Sequence, residues 1–166
     1  MISATFTGII ISSFEDALSK LVILTAFIPM LMDTGGNSGS QASVTIIRGL
    51  SVGDITVSDI LKVMWKEFRV SILCGASLAA AAFAKVMLVD GMIMKSDGVN
   101  TTVALVVEAT LAVTVVCAKF IGCTLPIIAK KLKFDPAVMA SPFITTIVDA
   151  VSLLVYFAVA KSFLPL

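Results

Sequence analysis

Histidine is absent from this 166-residue chain, and charged residues are scarce at 14% of it. Soluble proteins carry about 25% charged residues. Without imidazole there are no Ser-His triads, no histidine proton relays and no histidine metal ligands. The three cysteines (Cys74, Cys117 and Cys123) form no C-x-x-C pair and lie in or beside apolar stretches, which argues against a zinc site or a disulfide framework. A formal net charge of +1 supplies no basic face to displace counterions, so nucleic acid is not an expected partner. No phosphate-cradling loop and no nucleophile with an adjacent base are visible, so an enzyme is not expected. No Gly/Ser- or Pro-rich linker divides the chain, and one domain over 1–166 is the simplest organisation.

What is abundant is apolar. Hydrophobic residues make up 58% of the chain and the mean hydropathy is +1.08, values that suit an all-α integral membrane protein. A spanning helix needs about 20 mostly apolar residues. Five segments are expected to be helical: 1–14, 21–50 with a glycine-rich break, 70–89, 101–126 and 136–163. The first is short and ends at Glu15-Asp16. Residues 51–69 look like an amphipathic stretch on the inner surface, turning Ile55, Val57, Ile60, Leu61, Met64 and Trp65 towards lipid. With a cytoplasmic amino terminus, the inner loops would hold Arg48, Lys62, Lys66, Arg69, Lys130, Lys131 and Lys133. The outer side would then hold Lys20, Lys85, Lys95 and Lys161, in agreement with the positive-inside rule, and the carboxyl terminus would be outside.

Ionisable groups within a bilayer are costly and normally face a cavity or a partner. Asp149 lies 14 residues after Asp135, roughly 20 Å along a helix of 1.5 Å rise per residue. Ser141, Thr145, Asp149, Ser152 and Tyr156 follow helical spacing and form one polar stripe. Such a stripe suits a water-filled path. The alternative is that Asp149 is neutral, or pairs with Lys85 or Lys119 as structural glue. Glu108 is open to the same two readings. Asp135-Pro136 is an expected helix start, with aspartate as N-cap and proline in the first turn. Glu67 and Asp59 read as residues of a solvated inner face. Gly35 and Gly39 make a G-x-x-x-G pattern that alone indicates close helix packing. The adjoining Asp33, Asn37, Ser38, Ser40 and Gln41 are too polar for packing alone and suit an aqueous cavity.

PMLMDTGGNSGSQASVTIIRGL (Pro29–Leu50) and DPAVMASPFITTIVDAVSLLVYF (Asp135–Phe157) resemble two long motifs of the membrane domain of the MgtE family of magnesium channels and transporters. Lys66–Phe68 (KEF) and Leu125–Pro136 (LPIIAKKLKFDP) fit the same pattern. The resemblance implies five transmembrane helices per protomer and a homodimer in the lipid of the cell membrane, with the pore on the two-fold axis. It implies Mg2+ as the transported ion. Asp149 would be the ion-selecting carboxylate, and Asp135 and Glu67 would lie near the inner mouth. Ser141, Thr145, Ser152, Gly36, Asn37, Gly39 and Gln41 would line the path. Three departures stand out. The family's N-terminal helical domain and its CBS sensor pair have no counterpart in these 166 residues, the first helix is shorter, and Ser152 replaces an expected glycine.

The chemistry points the same way. Magnesium is a hard ion that prefers oxygen ligands and gives up its waters reluctantly, while softer metals would want imidazole or thiolate. Oxygen ligands alone do not separate Mg2+ from Ca2+, Mn2+ or Co2+. A divalent-cation channel or transporter is the leading expectation. A sodium-coupled magnesium exchanger, as in the related eukaryotic solute carriers, is the second, and a non-transporting membrane subunit the third.

Overall fold

The computed structural model describes residues 2–15, 19, 22–139 and 141–164, and every regular element among them is helical. Five α-helices are named in chain order: α1 (Ile2–Ser13), α2 (Ile28–Val52), α3 (Ile60–Ala84), α4 (Thr101–Lys131) and α5 (Ser141–Phe163). Short 3-10 turns precede α2 (Val22–Phe27), α3 (Val57–Asp59) and α5 (Pro136–Met139), and a π-helical extension of α3 covers Lys85–Ile93.

The boundaries have local causes. Pro29 stands in the first turn of α2, where its missing N–H leaves no bond unmade. The same helix stops at Gly53, whose φ of 88° is left-handed and whose N–H closes on the Gly49 carbonyl. Thr56 and Asp59 form a reciprocal capping box that starts the following chain upward. Asn100 caps α4, its side chain accepting from the Val103 N–H at 2.9 Å. Asp135 accepts from the Ala137 N–H at 2.9 Å, the capping role its sequence context suggests. In the π segment, residues five apart are brought over one another, and Lys85 there donates to both oxygens of Asp90 at 2.8 and 3.0 Å.

Three expectations are corrected. The glycine-rich run does not break α2, which is continuous from Ile28 to Val52. In apolar surroundings an unpaired backbone group costs several kcal/mol, more than the roughly 1 kcal/mol of helix propensity each glycine gives up. Residues 51–69 are not a separate surface helix; from Ile60 onward they are the first turns of α3, since no proline or glycine interrupts the chain before Gly75. Finally, α4 runs past Pro126 to Lys131, a proline near a helix end being tolerated in apolar helices.

Among the described residues, three stretches are long and apolar enough to cross a membrane: Val57–Ile93, Thr101–Lys131 and Pro142–Phe163. α1, with 12 residues, is too short by itself. α2 has the length, with 25 residues, but its polar cluster lowers its hydropathy. The outer surface is largely apolar, with Leu61, Trp65, Leu73, Met92 and Ile93 well exposed.

α2 packs against α4 and α5, while α3 covers the other flank of α4. One core gathers Leu24, Phe27, Leu31, Val103, Val107, Tyr156 and Phe157; another joins Ile46, Leu50, Val63, Cys123 and Ile127. Tyr156 donates to the Leu24 carbonyl at 2.9 Å, tying α5 to the turn before α2. The closest approach is between α2 and α4, where a Cβ on Gly122 would strike the Gly39 carbonyl oxygen. Because that neighbour is backbone, Gly122→Ala must push the helices apart. It should lower stability by about 1–3 kcal/mol, the range for overpacking. Gly8→Ala, with nothing within 4 Å of the added carbon, should be neutral or slightly stabilising. Thermal unfolding of both variants in detergent reads the difference.

Candidate functional site

α2 has two unlike faces. On one, glycines bring it against α5 and α4: a Cβ on Gly35 would lie 2.7 Å from Ser152 Oγ and 2.8 Å from Thr114 Cγ2. A Cβ on Gly36 would lie 3.3 Å from Thr145 Cγ2 and 3.5 Å from Asp149 Oδ1. On the other face Asp33, Asn37 and Gln41 recur every four residues and are exposed. With Thr34, Ser38, Cys74, Leu78 and Lys119 they line a cleft of about 450 Å³.

Asp149 is half-buried at the edge between these faces, and the Asp33 carboxylate acts on it electrostatically. The ion pairs among the described residues are Lys62–Asp59, Lys85–Asp90 and Lys119–Glu67. Lys85 and Lys119, the two cations considered as structural glue for Asp149, are therefore engaged elsewhere. Asp33, which lines the cleft, and Asp149, half-buried against Gly36, are left without an ion-pair partner among the described residues. Thr145, one turn before Asp149, is half-buried, with its hydroxyl donating to the Pro142 carbonyl at 3.2 Å.

Other expected site residues fall elsewhere. Ser152 is fully buried between helices and donates to the Val148 carbonyl at 2.7 Å. Gly39 is buried against Val148, Ile144 and the Ala118 carbonyl, so it belongs to the helix seam rather than an open wall. Tyr156 is buried too, so the polar stripe on α5 divides: its second half serves packing. The side chain of Ser141 lies outside the described residues.

Glu67 corrects the expectation of a solvated inner-face residue. Its side chain is only 10% exposed, and Oε2 lies 3.4 Å from Lys119 Nζ, joining α3 to α4 across 52 positions of sequence. Asp135 is exposed in its capping turn, and Asp59 is held by Thr56. Among the described residues no three acidic, cysteine or histidine side chains gather to hold a metal ion. Lys119 received no role of its own from the sequence, although a lysine in the middle of an apolar helix carries the same warning of cost as Asp149.

A family model described as a divalent cation transporter, MgtE, matches residues 28–159, which include both glycine seam and Asp149. The chain belongs to the MgtE family. Among its relatives is the magnesium transporter MgtE of Bacillus subtilis, 37% identical over 158 residues that cover 95% of this chain and 33% of the relative. The namesake of Thermus thermophilus is 32% identical over 161 residues, 97% of this chain and 34% of its own. That of Enterococcus faecalis is 31% identical over 158 residues, with 95% and 33% covered. The chain therefore spans about a third of the length of these relatives. The relatives are named as transporters rather than enzymes, and the long apolar helices of this chain suit a membrane.

Burial separates wall from seam in a testable way. Ser152→Ala removes a hydroxyl already satisfied by its own helix, so ion flux through reconstituted protein should be unchanged. Asn37→Ala, on the exposed face, should reduce it. Parallel flux assays on the two variants make the comparison.

Proposed function

We propose that the chain carries Mg2+ through a homodimeric path in the cell membrane, with Asp149 as the residue that selects the ion. The supporting observation is the placing of Asp149 against Gly36, with the Asp33 carboxylate acting on it and neither paired to a cation among the described residues. The glycine lets α2 come close enough for Thr145 and Asp149 to stand against it, and Asn37 and Gln41 on the other face of α2 add amide oxygens to the same helix. Such a wall meets a hydrated divalent ion through its own water shell, which suits an ion that dehydrates reluctantly. One protomer offers an open polar face rather than an enclosed channel. A second copy across a two-fold axis would close it and bring two Asp149 carboxylates to one divalent ion. In this reading Asp135 lies at the inner mouth, the amino terminus is cytoplasmic and the carboxyl terminus outside.

Asp149→Asn keeps shape and reach but removes both charges from the dimer. It should abolish magnesium-dependent growth of a strain that needs external magnesium, with expression and dimer yield retained, since a neutral amide is easier to bury. Wild-type growth from that variant would make Asp149 structural. Single cysteines placed along the Thr145–Asp149 face in a cysteine-free background should trap dimers on crosslinking; an active monomer would refute the two-fold path. Flux into liposomes with and without a sodium gradient distinguishes a channel from a sodium-coupled exchanger. Absence of both flux and magnesium binding would instead mark a non-transporting subunit.

A further inference from the structure

The polar cleft has a permanent positive charge in its wall. Lys119 lines it across from Asp33, Asn37 and Gln41, while its ammonium also faces Glu67. The pairing is loose: 3.4 Å is longer than the roughly 2.7–2.9 Å of a tight charge-assisted hydrogen bond. An ammonium has three donors, and Glu67 is the acceptor that Lys119 finds among the described residues. Both side chains are about nine-tenths buried, so solvent screens the charge poorly.

A buried ion pair is a weak source of stability, because desolvating two charges offsets most of their attraction. Holding α3 to α4 could be done by apolar residues, as it is at the Gly75–Ala112 contact between the same helices. What apolar residues could not do is put a fixed cation beside a cation path. A water occupies about 30 Å³ of liquid, so an ion with six waters needs about 180 Å³, and the cleft holds about 450 Å³. A hydrated divalent ion therefore fits in the same space that Lys119 faces.

We propose that Lys119 is a tethered competitor of the permeating ion, a specificity-determining cation whose charge, balanced by Glu67, keeps a divalent ion from binding the Asp33 wall too tightly to leave. Conduction needs binding strong enough for entry and weak enough for release. Asp33 and Asp149 favour entry; the ammonium limits retention. This inference rests on the reading of the α2 cleft as part of the ion path.

The test is a charge cycle on the full chain in lipid nanodiscs, titrated with Mg2+ by calorimetry, with flux measured in liposomes. Lys119→Met leaves Glu67 unbalanced and should tighten Mg2+ binding by about tenfold or more, with flux saturating at lower Mg2+. Glu67→Gln leaves the ammonium unbalanced and should weaken binding by about as much. The double variant restores the net charge but leaves no ammonium beside the cleft, so it should bind Mg2+ more tightly than wild type and less tightly than Lys119→Met alone. A bridge that only fastens helices would move both single variants in the same direction, and that result would overturn the inference. If Lys119→Met does not accumulate, Glu67→Gln against the double variant decides: weaker binding that recovers supports the competitor, and no recovery overturns it. Should the wild-type chain bind no Mg2+, the proposed function itself fails, whereas wild-type binding with no opposite shifts removes only Lys119's role.

Discussion

Backbone contact between α2 and α4 at Gly39 and Gly122 is what allows a polar helix to stand inside an apolar bundle. α2 carries Asp33, Asn37, Ser38, Ser40 and Gln41 within 25 residues, and lipid would reject it. Its glycines let it dock on α4 and α5 without intervening side chains, so one face is satisfied by close van der Waals contact. The helix is thereby held with its remaining face turned to the cleft. Any carbon added at the seam displaces the cleft with it. Packing and the polar wall are two consequences of one constraint.

The bundle also sorts its charges. Two lysines in the apolar stretches are neutralised by a nearby carboxylate, Lys85 by Asp90 and Lys119 by Glu67. The first pair is local, made by a π turn; the second is long-range and depends on α3 lying against α4. Asp33 and Asp149 fall on two different helices that the glycine seam draws together, yet among the described residues neither is paired with a lysine. Leaving two neighbouring carboxylates uncompensated costs free energy that a bound cation would return. The fold thus carries its electrostatic demand at the place where α2 meets α5.

Much of this was legible in the sequence, and what was not has a physical reason. Helical class and the apolar stretches follow from composition, and the cost of a carboxylate at depth singles out Asp149 for attention. The glycine-rich run was misread as a break because propensities are measured in water, where an open backbone costs little. In an apolar setting the same residues stay helical, and glycine becomes a packing surface. Tyr156 and Ser152 share the spacing of Asp149 but not its surroundings: periodicity assigns a helix face, not whether water or α2 covers it. The pairing of Glu67 with Lys119 spans 52 positions and is invisible without the fold. Their shared occurrence in apolar helices was the available hint.

Hydroxyl groups deserve less weight than carboxylates and amides when a water path is read from an apolar helix. Ser77, Thr110, Ser152 and Ser162 each donate to the carbonyl four residues earlier, at 2.7–2.9 Å. A serine or threonine can discharge its donor in this way on its own helix and then pack like a small apolar residue. A carboxylate has no donor to give, and a side-chain amide has two donors besides its acceptor oxygen, so neither can be satisfied by a single backbone carbonyl. That difference separates the residues of the α5 stripe. Its hydroxyls at 145 and 152 are compatible with either water or protein, whereas Asp149 is comfortable only with water, a cation or a donor. The same reasoning makes Asp33, Asn37 and Gln41 stronger markers of a polar cavity than any serine beside them, because each needs partners that α2 itself does not supply.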